Sequence, residues 1–165
     1  MIKGLHHAAY RCRDSEETRK FYEDFLGLPF VAALEISETK TGRATHTLHT
    51  FFRMDDGSCI AFFEVPDMAF DFKPQHDYDL HIALEVGESD LEKMFAKGKA
   101  EGVETRGVSD HRFIHSIYFR DPNGYVVELT AKVPGHDEAL GGARDAATKT
   151  LAAWEARKSG QPASA

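Results

Sequence analysis

A chain of 165 residues carries twenty lysines and arginines against twenty-seven aspartates and glutamates, a net charge of −7, and nine histidines. The length suits one domain or two half-domains sharing a core, and the acidity, with no Lys/Arg-rich run, excludes a general nucleic-acid binder. No stretch nears the roughly 20 apolar residues that span a bilayer, the start at Met1–Gly4 lacks a signal-peptide apolar run, so a cytoplasmic location is expected, and two cysteines, Cys12 and Cys59, make neither a disulfide framework nor a zinc-thiolate site.

In chain order, Leu5–Cys12 reads as a strand, and Asp14 with Glu17 three residues on is a capping box for a helix over Ser15–Leu26. Phe21, Tyr22, Phe25 and Leu26 form its apolar face, and Gly27 ends it. Three strands follow at Phe30–Ile36, Thr45–Met54 and Ser58–Val65, separated by turn signals at Lys40–Gly42 and Asp55–Gly57. Residues 67–78 form a linker rich in acidic and aromatic side chains. Then the order repeats. Asp79–Val86 is a strand, Ser89 and Glu92 form a second capping box, and a helix runs through Leu91, Met94, Phe95 and Ala100 to Gly102. Val103–Val108, Phe113–Arg120 and Tyr125–Lys132 are the last three strands.

The repeat holds at single residues. An offset of 74 (81 minus 7) carries His7 onto His81, Arg11 onto Glu85 and Phe21 onto Phe95. Later an offset of 67 (128 minus 61) carries Phe51 onto Tyr118, Phe52 onto Phe119, Gly57 onto Gly124 and Ala61 onto Glu128. The expected fold is α+β: two βαβββ modules, over residues 4–65 and 79–132, whose mixed sheets curl around one cleft in a domain spanning 1–132. Residues 133–165 form a tail, with a helix carrying Leu140, Ala143, Ala147, Leu151 and Trp154, docked on the domain or on a second subunit, and a disordered end at Ser159–Ala165.

Strand parity selects the chemistry. With Tyr10, Cys12, Leu84, Val127 and Leu129 under the helices, His7, His81 and Glu128 share the opposite, concave face. Two imidazoles and a carboxylate on rigid strands are a facial-triad set that leaves open positions on a divalent metal. Arg11 and Glu85, related by the repeat and opposite in charge, are expected to meet as a structural pair.

The segments GLHHAAYRCRDSEETRKFYEDFLGLPF, DLHIALEV and SIYFRDPNGYVVEL resemble those of the vicinal oxygen chelate superfamily, which includes glyoxalases, extradiol dioxygenases, and fosfomycin- and bleomycin-resistance proteins. The resemblance implies metal ligands at His7, His81 and Glu128, Fe(II) or Mn(II) ahead of Zn(II) or Ni(II), a small substrate with vicinal oxygens, and a homodimer. Ala61 stands where glyoxalase I has a fourth ligand, so the resemblance favours ring cleavage of a catechol-like diol with dioxygen. Its alternatives are a metal-dependent isomerase, epimerase or lyase, or a metal-free binder of the bleomycin-resistance type. Tyr118 corresponds to a cavity tyrosine. Ser58 and Ser109 stand where extradiol members carry histidines, and Ala9 departs from the fosfomycin type. Of the possible substitutes, His115 points away from Tyr118 by parity, and His49, sharing the parity of Phe51, is assigned as the proton carrier ahead of His111.

Overall fold

The structure, a computed structural model, describes residues 1–141 and 144–158. The strands are β1 (His7–Cys12), β2 (Phe30–Glu38), β3 (Ala44–Arg53), β4 (Cys59–Glu64), β5 (His81–Glu85), β6 (Thr105–Asp110), β7 (Ile114–Arg120) and β8 (Val126–Lys132). They make two four-stranded sheets of identical plan, β1-β4-β3-β2 and β5-β8-β7-β6. In each, the first strand runs parallel to the last and the other pairs are antiparallel. The two repeat modules and the mixed α+β architecture expected from the sequence are therefore present.

Helix α1 (Ser15–Arg19) opens on Asp14, whose carboxylate accepts from Glu17 N at 2.7 Å. Glu17 does not complete the box: its carboxylate takes the guanidinium of Arg13 instead. From Lys20 to Phe25 the helix widens into a π turn, with Leu26 N donating to Phe21 O at 2.9 Å. That widening suits Arg19, which bonds Glu16 and Glu23 and also reaches Asp24, five residues on. Helix α2 (Glu88–Ala100) corrects the second capping box. Its N-cap is Gly87, without a side-chain cap, and Ser89 lies inside the helix.

Each helix covers one face of its sheet. Tyr22, Phe52, Ile60 and Phe62 are buried in the first half, and Leu91, Ile117, Phe119 and Val127 in the second. The halves meet where the Phe25 ring stands edge-on to Phe119, centroids 5.1 Å apart, and where Lys97 donates to Phe25 O at 2.7 Å. Hydrogen bonds join them as well: Tyr22 OH donates to Asp121, and Asn123 bonds both Arg13 N and Thr18 Oγ1.

Helix α2 lies close to its sheet at Gly98, where a Cβ would come within 2.6 Å of Phe119 and closer still to Thr105. Gly98→Ala is therefore expected to destabilise the fold by about 1–3 kcal/mol, the usual cost of overpacking, read as a lowered midpoint in urea with unchanged slope.

Two further expectations change. Arg11 and Glu85 do not meet: Arg11 donates to Met68 O and lies over Phe70, while Glu85 pairs with Lys132 at 2.9 Å. Among its described residues the tail holds two helices, α3 (His136–Leu140) and α4 (Arg144–Lys158), and Leu151 and Trp154 of α4 are exposed rather than docked on this chain. Ala143 and the segment Ser159–Ala165 lie outside the described residues. Among the described residues no helix is long and apolar enough to cross a membrane.

Candidate metal centre

The ladder of the second sheet places Arg106 opposite Tyr118, Tyr118 opposite Glu128, and Glu128 opposite Ala83, one row across four strands. His81 stands one step away on β5. Its Nε2 lies 3.1 Å from Glu128 Oε2, and its Nδ1 donates to Asp77 O at 2.6 Å. A carbonyl can only accept, so Nδ1 carries the proton, and a neutral ring turns its Nε2 lone pair on the carboxylate. Two acceptors in contact need a proton or a cation between them. Glu128 is only 5% exposed, which makes that need acute.

Around this pair the supports are built from opposite charges. The Asp77 carboxylate grips Arg106 at 3.0 and 2.9 Å, and Arg106 holds the Asp77 carboxyl below its ordinary range. The guanidinium lies 5.5 Å above the Tyr118 ring. Burial, then the charge of Glu128, raises the Tyr118 phenol, so it stands as an O–H group at neutral pH. Its hydroxyl meets His111 Nε2 at 2.9 Å. A cleft of about 510 Å³ is lined by Asp77, Tyr78, Arg106 and Arg120.

The first sheet carries a different set. His7 is hydrogen-bonded through Nδ1 to His6 Nδ1 at 2.7 Å and packs edge-on to Phe51 and His49, at 5.8 and 6.3 Å. His49 is 8% exposed, bonds Phe62 O at 3.0 Å and stacks on Phe63 at 3.7 Å. Row for row, Ala32, Phe51, Ala61 and Ala9 stand where the second sheet has Arg106, Tyr118, Glu128 and Ala83.

Of the five residues selected from sequence, then, the structure gathers His81, Glu128 and Tyr118, and leaves His7 and His49 together on the other sheet. Among the described residues, no three His, Cys, Asp or Glu side chains are placed to hold one ion within a single chain.

Residues 4–129 match the family described as the Glyoxalase/Bleomycin resistance protein/Dioxygenase superfamily. The chain belongs to this superfamily. The superfamily match runs from the first βαβββ module into the last strand of the second, ending within β8. Among its relatives is the metallothiol transferase FosB of Shouchella clausii (strain KSM-K16), 25% identical over 140 residues, covering 78% of this chain and 80% of that protein. Similar solved structures include the fosfomycin resistance protein FosX of Listeria monocytogenes with Mn(II) and sulfate, at 25% identity and a TM-score of 0.60, covering 82% of this chain and 98% of that one. A superfamily domain from Frankia sp. EAN1pec shares the fold at 18% identity and a TM-score of 0.64, covering 81% and 100%.

Beside the candidate ligands stand Arg106 and Asp77, which strand parity did not select, and His111, which it ranked behind His49. Arg106 has the parity of the row but was unremarkable among twenty basic residues. His111 lies in the β6–β7 turn, past the end of β7 at Ile114, where strand alternation carries no information. Asp77 lies in the linker, where parity carries no information.

Proposed function

We propose that the chain is a divalent-metal-dependent enzyme acting on a small substrate with two adjacent oxygen atoms, its metal held by His81 and Glu128 of one copy and His7 of a second copy. The observation that carries this reading is the contact of His81 Nε2 with the buried Glu128 carboxylate at 3.1 Å, with Nδ1 already committed to Asp77 O. Imidazole nitrogen and carboxylate oxygen are the donors such an ion accepts. A homodimer is the assembly this reading calls for, since one chain keeps His7 on the first sheet with His6, His49 and Phe51. Mn(II) in the similar FosX structure supports the choice of a first-row ion.

When bound, the metal supplies Lewis acidity, polarising the substrate oxygens it binds. The protein supplies the rest. Tyr118, kept as O–H, donates a hydrogen bond toward the oxygen nearest Glu128. If Tyr118 passes its proton to that oxygen, His111, in contact with the Tyr118 hydroxyl, is placed to replace it. His49 is locked to Phe62 O and stacked on Phe63, which suits it to forming a wall. The fosfomycin-resistance relatives favour redox-neutral chemistry of this kind.

Ring cleavage of a catechol-like diol with dioxygen and Fe(II) is the second reading. It is favoured by the aromatic face of Phe51, Phe63 and His49 beside alanines 9, 32 and 61, a surface shaped for a planar ring.

Protein purified without a chelator or polyhistidine tag should retain a divalent metal, one ion per chain, and Mn(II) titrated into metal-stripped protein should bind with the same stoichiometry. No binding, or binding unaffected by both His7→Ala and His81→Ala, defeats the proposal. Oxygen uptake with a catechol panel on Fe(II)-loaded protein selects the second reading; turnover of vicinal diol substrates with Mn(II), without oxygen uptake, selects the first.

A further inference from the structure

We propose that Asp77 and Arg106 form a positioning pair that couples the metal ligand His81 to Tyr118. This inference rests on the metal reading above and adds residues to it that neither the repeat nor the superfamily match assigns.

The contacts close a circuit. His81 Nδ1 donates to Asp77 O at 2.6 Å. The Asp77 carboxylate binds both terminal nitrogens of Arg106, at 3.0 and 2.9 Å. Arg106 covers the Tyr118 ring at 5.5 Å, Tyr118 stands opposite Glu128 in the ladder, and Glu128 returns to His81 at 3.1 Å. Three of these residues lie on separate strands of one sheet, His81 is on the fourth, and Asp77 is the single member from the linker.

Asp77 acts twice, through two different groups. Its carbonyl fixes which nitrogen of His81 is free for a metal, and its carboxylate fixes where that carbonyl sits. A loop residue holds position only as well as it is anchored, and a bidentate pair with a guanidinium is a directional anchor. The first half has no such circuit: Lys3 and Ala32 are the repeat counterparts of Asp77 and Arg106, and Ala61 that of Glu128.

The pair is poorly placed to act through stability. The Asp77 side chain is 22% exposed and that of Arg106 45%, the range in which ion pairs add little to folding. A contact that orients a metal-bound histidine, in contrast, typically changes metal affinity by about 10–100-fold when it is lost. Affinity and melting temperature therefore separate the two roles.

The test is Mn(II) titration of the metal-stripped full-length protein by calorimetry, with thermal melts of the same samples. Asp77→Ala and Arg106→Ala are each expected to weaken Mn(II) binding about tenfold or more with little change in the metal-free melting temperature. The double variant should bind no more weakly than the worse single one, because either change opens the same circuit. Glu104→Gln, which removes the neighbouring carboxylate that also faces Arg106 and Arg120, should bind as wild type does. If Asp77→Ala misfolds, Asp77→Asn removes the charge at constant shape and is read in the same way. Wild-type affinity in the Asp77 and Arg106 variants, or losses that multiply in the double variant, overturns the positioning role while leaving the metal reading intact. Failure of the wild-type protein to bind Mn(II) overturns the metal reading itself.

Discussion

Glu128→Gln is expected to abolish metal binding and activity while leaving the metal-free fold as stable as wild type or slightly more so. The carboxylate is 5% exposed and its near neighbour is a histidine nitrogen at 3.1 Å. A glutamine amide fits the same space and donates to the Nε2 lone pair that Asp77 leaves free, so the metal-free variant loses a buried charge and gains a hydrogen bond. For the metal, the exchange removes an anionic ligand. The loss should exceed the roughly 10–100-fold that removing a ligand's supporting partner costs. The cleanest measurement is the ligand-induced rise in melting temperature. Mn(II) at about 100 times its Kd stabilises wild type by about 2.7 kcal/mol through linkage alone, and Glu128→Gln should show none of it. A variant that still shifts with Mn(II) removes Glu128 from the site.

The second large effect lies away from the metal. Asp121 is 3% exposed and accepts four hydrogen bonds, from Tyr22 OH at 3.1 Å, Asn123 N at 2.9 Å, Asn123 Nδ2 at 3.1 Å and Tyr125 N at 2.8 Å. Asp121→Ala strands these donors in the interior. With each buried unpaired donor costing about 1–3 kcal/mol, a loss of at least about 3 kcal/mol is expected in denaturant unfolding. Because Tyr22 belongs to the first half and Asp121 to the second, the variant should also loosen the contact between modules, seen as faster hydrogen exchange along α1.

The same aspartate gives a pH dependence with a definite sign. Burial pushes its carboxyl above the ordinary 3.8, and the hydrogen bonds from Asn123, Tyr125 and Tyr22 offset this only in part. The folded state therefore holds the proton to higher pH than the unfolded chain. The stability contributed by this group is fully present below 3.8 and is lost as pH rises through the raised folded value. The stability difference between wild type and Asp121→Asn should fall with rising pH across that window and be level above it.

The fold was legible because the repeat and the alternation agree: Phe52 with Phe119, and Tyr10 and Cys12 with Leu84, obey the same period of two on the helix-covered faces. The site was legible only where that period runs unbroken. His81, Tyr118 and Glu128 lie on strands β5, β7 and β8 within regular ladders, and parity puts them on one face, as the ladders do. His111 sits in the β6–β7 turn and Asp77 in a linker, so no pattern of alternation reaches either. Assigning His7 to the same face as His81 was sound as parity, but parity says nothing about how two sheets sit relative to each other. That arrangement is set by the Phe25–Phe119 contact and the Asp121–Asn123 turn, and these long-range contacts are invisible to a local period.

The row-for-row comparison of the two sheets has a consequence for how this scaffold can be altered. Beneath the helices the paired positions keep their character, aromatic for aromatic at Phe52 and Phe119 and aliphatic for aliphatic at Ile60 and Val127, all four fully buried. On the other face the same strands exchange Phe51 for Tyr118 and Ala61 for Glu128. Folding information and chemical information are thus written on opposite sides of one ribbon. A designer could rewrite the ligand row of either half, or transplant one half's row onto the other, while leaving the helix-covered core untouched.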